Sequence, residues 1–284
     1  MLRMLARLPS SDLTYSWFAS VYASILVLSA RLLGIPSIVT LGGADVANEK
    51  ELDYGIWISW WKARLVRYGI RHASAVLAVD ESLRREAMKL ADYDGKNLSV
   101  LPTGYDPEFW SPQGNKKTSV LTVASCPDAQ RARLKGIDFF FQLARKFPEV
   151  PFIAVGIEPS VSDLLSPPEN ARCIPFSDRI AVREFYRAAK VYCQLSLREG
   201  LPNALCEAML CECVPVGTKV GGIPTAIGDV GYLVEKRDIE KASQVLGQAL
   251  EADSGHAARE RILTHLTLQK REEALERIIR DLLR

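Results

Sequence analysis

Short apolar runs and helix-spaced patterns take turns along most of the chain. The runs at residues 37–41, 75–79, 98–101, 120–124, 152–155, 191–195, 214–216 and 232–234 are apolar nearly throughout, which predicts strands buried on both faces. Between them, apolar residues recur at helical spacing and predict helices over 56–70, 81–91, 136–146, 181–188, 204–210 and 239–252. Alternation at this interval implies an α/β protein whose parallel sheets are covered by helices. A last helix is predicted over 257–283, with Leu275, Ile278, Ile279 and Leu282 on one docking face and a break near 264–267.

The uncharged stretch from 13 to 30 is about as long as the roughly 17 residues that set the lower limit of a membrane span. It holds Thr14, Tyr15, Ser16, Ser20, Tyr22, Ser24 and Ser29, and Arg31 ends it. A strand at 12–17 and a buried helix at 18–33 account for it better.

Turn formers and charges gather at 102–118, between two strand patterns, and mark a boundary. The division gives a first domain at 1–106 and a second at 107–284, whose terminal helix is expected to dock back on the first. The first has about four strands and lacks the opening strand and glycine turn that start a doubly wound domain, so it reads as incomplete. Its exposed sheet edge invites pairing with a second copy of the chain as a homodimer.

With 284 residues, 48% of them hydrophobic and 25% charged, the chain is long enough for two cores. A net charge of +2 with dispersed bases gives no argument for a nucleic-acid partner. The six cysteines sit mostly in apolar runs and read as reduced thiols of a cytoplasmic protein. Cys206, Cys211 and Cys213 lie close in sequence, but no nearby histidine completes a zinc-ligand pattern, and no metal site is expected.

The chemistry concentrates in S-L-R-E-G-L-P-N-A-L-C-E-A-M, residues 196–209. Glu199 lies in a Gly-Leu-Pro turn and Glu207 about one turn into the following helix, so the two carboxylates address different hydroxyl-bearing parts of one ligand. Backbone N–H groups freed at the helix start face the space between them, where phosphates would sit. That arrangement suits a nucleotide-linked sugar.

These residues resemble the donor-binding core of GT-B glycosyltransferases, in particular the retaining group called glycosyltransferase family four. The run Glu199, Gly200, Pro202, Asn203, Glu207, Ala208, Met209 follows that family's E-G-x-P-N-x-x-x-E-A-M, and Gly221-Gly222-Ile223-Pro224 follows it downstream. Lys135-Gly136, residues 101–106 (L-P-T-G-Y-D) and Gly43-Ala44-Asp45 are weaker matches. The resemblance implies two Rossmann-like parallel-sheet domains. It also implies transfer of a sugar, with retention of configuration, from a nucleotide-diphosphate donor to a hydroxyl acceptor that is a glycan, lipid-linked or a small molecule. By the same resemblance Glu199, Lys135 and Asp45 are the candidate catalytic residues, with Lys135 meeting the diphosphate. Gly200, Leu201, Pro202, Asn203, Ala204 and Leu205 would line the sugar and phosphate pocket, Glu207 would hold the ribose, and Phe176 in the 173–177 stretch would sit against the base. No cofactor or metal is implied beyond the donor itself.

Three departures stand out. The arginine that the family pairs with its lysine is absent from Val123-Ala124-Ser125, leaving Arg131 or Arg133 to replace it. The histidine expected before Gly43-Ala44-Asp45 is a glycine, Gly42, so Asp45 is either an acceptor-side residue or a helix cap. Glu212 occupies a position where a glycine commonly ends the helix in the left-handed conformation, at a strain of roughly 1 kcal/mol. A non-catalytic donor-binding module and a nucleotide-sugar epimerase are the alternative readings.

Asp92-Tyr93-Asp94 imitates a metal-binding D-x-D but precedes Gly95 in a turn pattern, and His72, His256 and His265 fall in no metal or nucleophile motif. Tyr54, Trp57, Trp60 and Trp61 followed by Lys62, Arg64, Arg67 and Arg71 admit peripheral contact with the inner face of a membrane; core packing with a solvated charged face needs fewer assumptions.

Overall fold

The computed structural model describes residues 2–284 and divides into two compact units, one formed by residues 2–103 with 269–284, the other by 104–268. The first unit runs α1 (Leu2–Arg7), β1 (Thr14–Trp17), α2 (Val21–Leu32), β2 (Ser37–Leu41), α3 (Trp60–His72), β3 (Ala75–Ala78), α4 (Glu81–Ala91) and β4 (Leu98–Val100). The second runs β5 (Lys117–Cys126), α5 (Ala129–Leu134), α6 (Ile137–Arg145), β6 (Phe152–Ile157), α7 (Pro159–Leu165), β7 (Ala171–Ile174), α8 (Arg179–Ala188), β8 (Ala189–Gln194), α9 (Asn203–Leu210), β9 (Val214–Thr218), α10 (Ile223–Ile227), β10 (Tyr232–Val234), α11 (Ile239–Glu251) and α12 (Gly255–His265). Nearly all of α13 (Leu268–Leu282) then belongs to the first unit.

In the first unit the four strands are parallel and ordered β1-β2-β3-β4. Winding in one direction with right-handed crossovers sets the connecting helices on a single face of the sheet. The other face needs its own cover, and α13 supplies it: Ala274, Leu275, Ile278, Ile279 and Leu282 pack against Ile38, Leu77 and Leu101. Arg271 fastens the start of that helix. Its guanidinium donates to Leu101 O at 3.0 Å and lies 4.9 Å from the Trp17 ring.

The buried helix expected from residue 18 starts later, at Val21. Phe18 takes a left-handed backbone with φ 75° and its N–H donates to Thr40 O, so the chain turns before Ser20 caps the helix through Ala23 N. The helix expected from residue 56 opens as a 3-10 turn at Ile56–Ile58. Trp57 is buried there, its Nε1 donating to Asp45 O, but Trp60 is 78% exposed, so core packing accounts for Trp57 and not for Trp60. Among the described residues no helix is long and apolar enough to cross a membrane.

The second unit is a six-stranded parallel sheet ordered β10-β9-β8-β5-β6-β7. Phe139, Phe140, Phe141 and Phe152 dominate one core layer, where the Phe140 and Phe152 rings meet edge to face at 5.1 Å. Cys193, Cys206, Cys211 and Cys213 are buried, and burial pushes the Cys206 and Cys211 thiols up to about 12, so they are inert apolar filling. The unit closes on itself where Tyr105 N–H donates to Leu266 O and Leu268 N–H to Tyr105 O.

After α9, Glu212 has φ 63°, and Cys213 N–H returns to Ala208 O at 3.0 Å, a left-handed helix stop built on a residue with a Cβ. Its carboxylate faces the exposed His256, at 3.5 Å, a contact worth little. Glu212→Gly is therefore expected to stabilise the protein by about 0.5–1 kcal/mol, read as a raised midpoint in urea at unchanged m-value.

Candidate functional site

The order of the six strands locates the site. From β5 the chain winds outward through β6 and β7, returns to β8 on the other side of β5, and continues through β9 to β10. Connections leave β5 and β8 in opposite directions, and at such a reversal a crevice opens beyond the carboxyl ends of the strands. Lys135 and Gly136 follow β5, the Glu199 turn follows β8, and Gly221 and Gly222 follow β9.

These three loops are stitched together through the backbone. Leu197 N–H donates to Leu134 O at 2.8 Å, Gly222 N–H to Gly200 O at 2.7 Å, and Thr218 Oγ1 to Ser196 O at 2.6 Å. Two glycines make the approach possible. A Cβ on Gly136 (φ 72°) would stand 2.0 Å from Leu195 O, and one on Gly221 (φ 52°) would stand 2.0 Å from Glu199 O.

Within this frame Glu199 Oε1 accepts hydrogen bonds from Lys135 Nζ, from Ser196 Oγ at 2.8 Å and from Gln194 Nε2 at 3.1 Å. Gln194 Nε2 also donates to Ser196 Oγ at 2.9 Å, and Tyr192 Oη donates to Gln194 Oε1 at 3.0 Å. Burial pushes the Tyr192 phenol well up, so it stays a donor. The result is an ordered polar relay from the sheet interior to a carboxylate at the crevice.

The second acid sits one turn into α9. Glu207 Oε2 accepts from Tyr186 Oη at 3.3 Å, and burial raises its carboxyl to about 7 against the opposing pull of that hydrogen bond and of Arg179. Arg179 is itself held over the Phe109 and Trp110 rings at 4.7 and 5.4 Å. At the helix start, no side chain caps the first turn, and Cys206 N–H is the first to bond back, to Pro202 O. Asn203, Ala204 and Leu205 thus present backbone N–H groups beyond the reach of intrahelical acceptors. The Leu205 side chain is wholly buried and reaches a ligand only through that N–H, whereas Asn203 Oδ1 is taken by Tyr105 Oη at 3.0 Å.

The remaining sequence-derived candidates divide. Arg131 and Arg133 share α5, which Asp128 caps by accepting from Arg131 N at 2.7 Å, and Arg133 is exposed. Phe176, beyond β7, is 77% exposed. Asp45, in the first unit, is buried and accepts backbone hydrogen bonds from Ala19 N at 3.0 Å, Gly42 N at 3.1 Å and Gly43 N at 2.7 Å. Its carboxylate locks together the loops after β1 and β2. Burial nonetheless raises its pKa, with those hydrogen bonds opposing. Gln194, Ser196, Tyr192 and Tyr186 escaped the sequence reading; the one available signal was a glutamine inside an otherwise apolar strand run.

Two parallel-sheet α/β units, the second carrying this constellation at its reversal point, define the GT-B class of glycosyltransferase fold. Residues 119–252 match the family described as Glycosyl transferases group 1. That match spans most of the second unit, and the two units have the GT-B fold. Its relatives include the putative teichuronic acid biosynthesis glycosyltransferase TuaC of Bacillus subtilis, 27% identical over 84% of this chain and 60% of that protein. The chain thus spans less than two thirds of the length of TuaC. Alpha-maltose-1-phosphate synthase of Mycobacterium tuberculosis is 24% identical over 88% of this chain and 73% of its own. Among solved structures, Anabaena HepE in complex with UDP superposes with a TM-score of 0.82 at 15% identity, covering 99% of this chain and 81% of that one.

Replacing Gln194 by Leu leaves the Tyr192 hydroxyl and Glu199 each without one partner. A loss of about 1–3 kcal/mol of stability is expected from denaturant unfolding. Asp45→Ala strands several buried N–H groups and is expected to cost at least as much, read as a lower thermal midpoint.

Proposed function

We propose that the chain transfers a sugar from a nucleoside-diphosphate donor to a hydroxyl acceptor, with retention at the anomeric carbon as the resemblance of its E-G-L-P-N run implies. The observation that carries this reading is the placement of Glu199 and Glu207 around the uncapped start of α9, with Lys135 beside Glu199. Glu207 accepts the ribose hydroxyls, and the N–H groups of residues 203–205 meet the diphosphate. Glu199, held by Gln194 and Ser196, accepts hydroxyls of the sugar.

Cleaving the sugar–phosphate bond leaves the electron pair on the diphosphate, so positive charge must stand at that end in the transition state. Lys135 supplies it, and in this reading the ammonium exchanges Glu199 for phosphate oxygens when donor arrives. The reading uses no metal, and chelation is expected to leave turnover unchanged. The UDP named with HepE supports a nucleotide-linked donor, and the names of the relatives support sugar transfer; the hydroxyl acceptor, whether glycan, lipid-linked or small, is our reading. We assign the protein to the cytoplasm, where thiols buried as these are stay reduced.

Lys135→Ala is expected to lower kcat by at least about a hundredfold, by analogy with other removed transition-state donors, with a smaller change in nucleotide affinity. A normal turnover rate would take Lys135 out of the phosphate site. Donor binding without donor-dependent transfer would reduce the protein to a binding module.

Glu207 gives a pH test. It ionises near 4.5 when unperturbed and near about 7 in the folded protein. Between those values the folded state holds the extra proton, so stability falls as pH rises across this window and is level above it. The thermal midpoint of Glu207→Gln is expected to lack that decline. Calorimetric UDP affinity of the unsubstituted protein is expected to rise with pH up to about 7 and then plateau, since the ionised carboxylate is the hydroxyl acceptor. Loss of this profile in Glu207→Gln, together with weaker binding, is the expected result.

A further inference from the structure

The first unit carries an apolar face that none of its described residues covers. Helices α2 and α3 touch closely through Gly69, where a Cβ would stand 2.6 Å from Ser24 Oγ. Beside that contact Leu28 and Leu32 on α2, and Trp61 and Leu65 on α3, repeat at four-residue steps and face outward. Leu32 is 79% exposed and Trp60 78%. Between the helices lies a groove of about 450 Å³, lined mainly by Ile25, Leu28, Trp60, Trp61 and Leu65. Contiguous exposed apolar side chains of this kind mark an interaction surface rather than scatter.

Charge decides what the surface meets. The chain has no acidic residue between Asp12 and Asp45 and none between Asp53 and Asp80, so α2 and α3 carry only bases. Arg31, Lys62 and Arg64 are exposed, and the Lys62 ammonium lies 5.6 Å from the Trp61 ring. Arg67 and Arg71 are engaged elsewhere, donating to the carbonyls of Leu90 and Ala91. A second copy docked on this face about a two-fold axis would set like charges against like. Indoles and leucines edged by bases with long apolar stems instead suit the plane where lipid headgroups meet acyl chains. A helix of 12 residues, about 18 Å long, lies in that plane without spanning.

The geometry points to the α2–α3 face as the seat of this protein on an anionic phospholipid surface, with Trp60, Trp61, Leu32 and Leu65 entering the headgroup layer and Arg31, Lys62 and Arg64 meeting lipid phosphates. This assignment is independent of the donor chemistry of the second unit.

The test is co-sedimentation of the full chain with vesicles of phosphatidylcholine alone and of phosphatidylcholine mixed with roughly equal phosphatidylglycerol. Binding is expected only to the mixed vesicles and is expected to fall as salt is raised, because exposed charges are screened within about 10 Å at 0.1 M. The double substitution Trp60→Ser with Leu65→Ser, and separately Lys62→Glu with Arg64→Glu, is expected to weaken partitioning about tenfold, while Trp60→Phe retains most of it. All of these side chains are exposed, so thermal midpoints should stay close to that of the unsubstituted protein. The proposal is overturned if the chain stays in solution with the anionic vesicles, or binds neutral ones equally. It is also overturned if both double variants bind undiminished. A dimer in solution that Trp60→Ser with Leu65→Ser dissociates would assign the face to self-association and overturn it equally.

Discussion

One carboxylate organises the second unit's crevice. Glu199 takes hydrogen bonds from the junction of α5 and α6, from the last residue of β8 and from the turn that follows β8. A charge this far from water is tolerated only when opposite charge and donors surround it, so each of those elements is held where the acid needs it. The backbone contacts of Gly136 and Gly221 fix the same loops from beneath, and neither tolerates a side chain. Rigid strand ends therefore set the positions of groups that belong formally to loops, which is how a loop-borne site acquires definite geometry.

The two acids of the motif live in different surroundings despite lying seven residues apart. Glu199 contacts an ammonium directly, whereas Glu207 has one phenol as its hydrogen-bond partner and Arg179 acting from farther off. Desolvation accordingly dominates at Glu207 and lifts its proton affinity. A ligand that brings hydroxyl donors to Glu207 replaces the water it lost. A ligand that brings anionic oxygens near Lys135 competes with Glu199 for the same ammonium. The Lys135 ammonium and the Glu199 carboxylate thus neutralise one another within the crevice.

Much of this architecture was legible in the sequence, and the exceptions have physical causes. Apolar runs revealed the core strands because parallel strands are buried on both faces. The start of α9 and the left-handed Glu212 followed from turn chemistry, and the break near 264–267 falls where α12 gives way to α13. The short helices α5, α7 and α10, of six, seven and five residues, are too brief for periodicity to register. The motif residues Glu199, Gly200, Pro202, Asn203 and Glu207 could be quoted from the chain, but the Tyr192–Gln194–Ser196 relay behind them could not, because Tyr192 and Gln194 are isolated polar letters in an apolar strand and Ser196, though it opens the run, names no partner in sequence. Asp45 was visible as a residue but not as the acceptor of three backbone N–H groups from two loops. Trp60 and Trp61 show the converse: helical spacing groups apolar residues on a face without revealing whether anything lies against it.

The cover that α13 lays over the first unit's sheet has a temporal side. Arg271 reaches Leu101 across 170 positions of chain, and the apolar row behind it meets Ile38 and Leu77, which are synthesised far earlier. During translation the emerging first unit has one sheet face open to solvent until residues 274–282 have left the ribosome, whereas the second unit already holds all six of its strands by β10. The later-made half is therefore positioned to finish folding first, and the earlier-made half must wait, with a sticky surface that chaperones would be expected to shield.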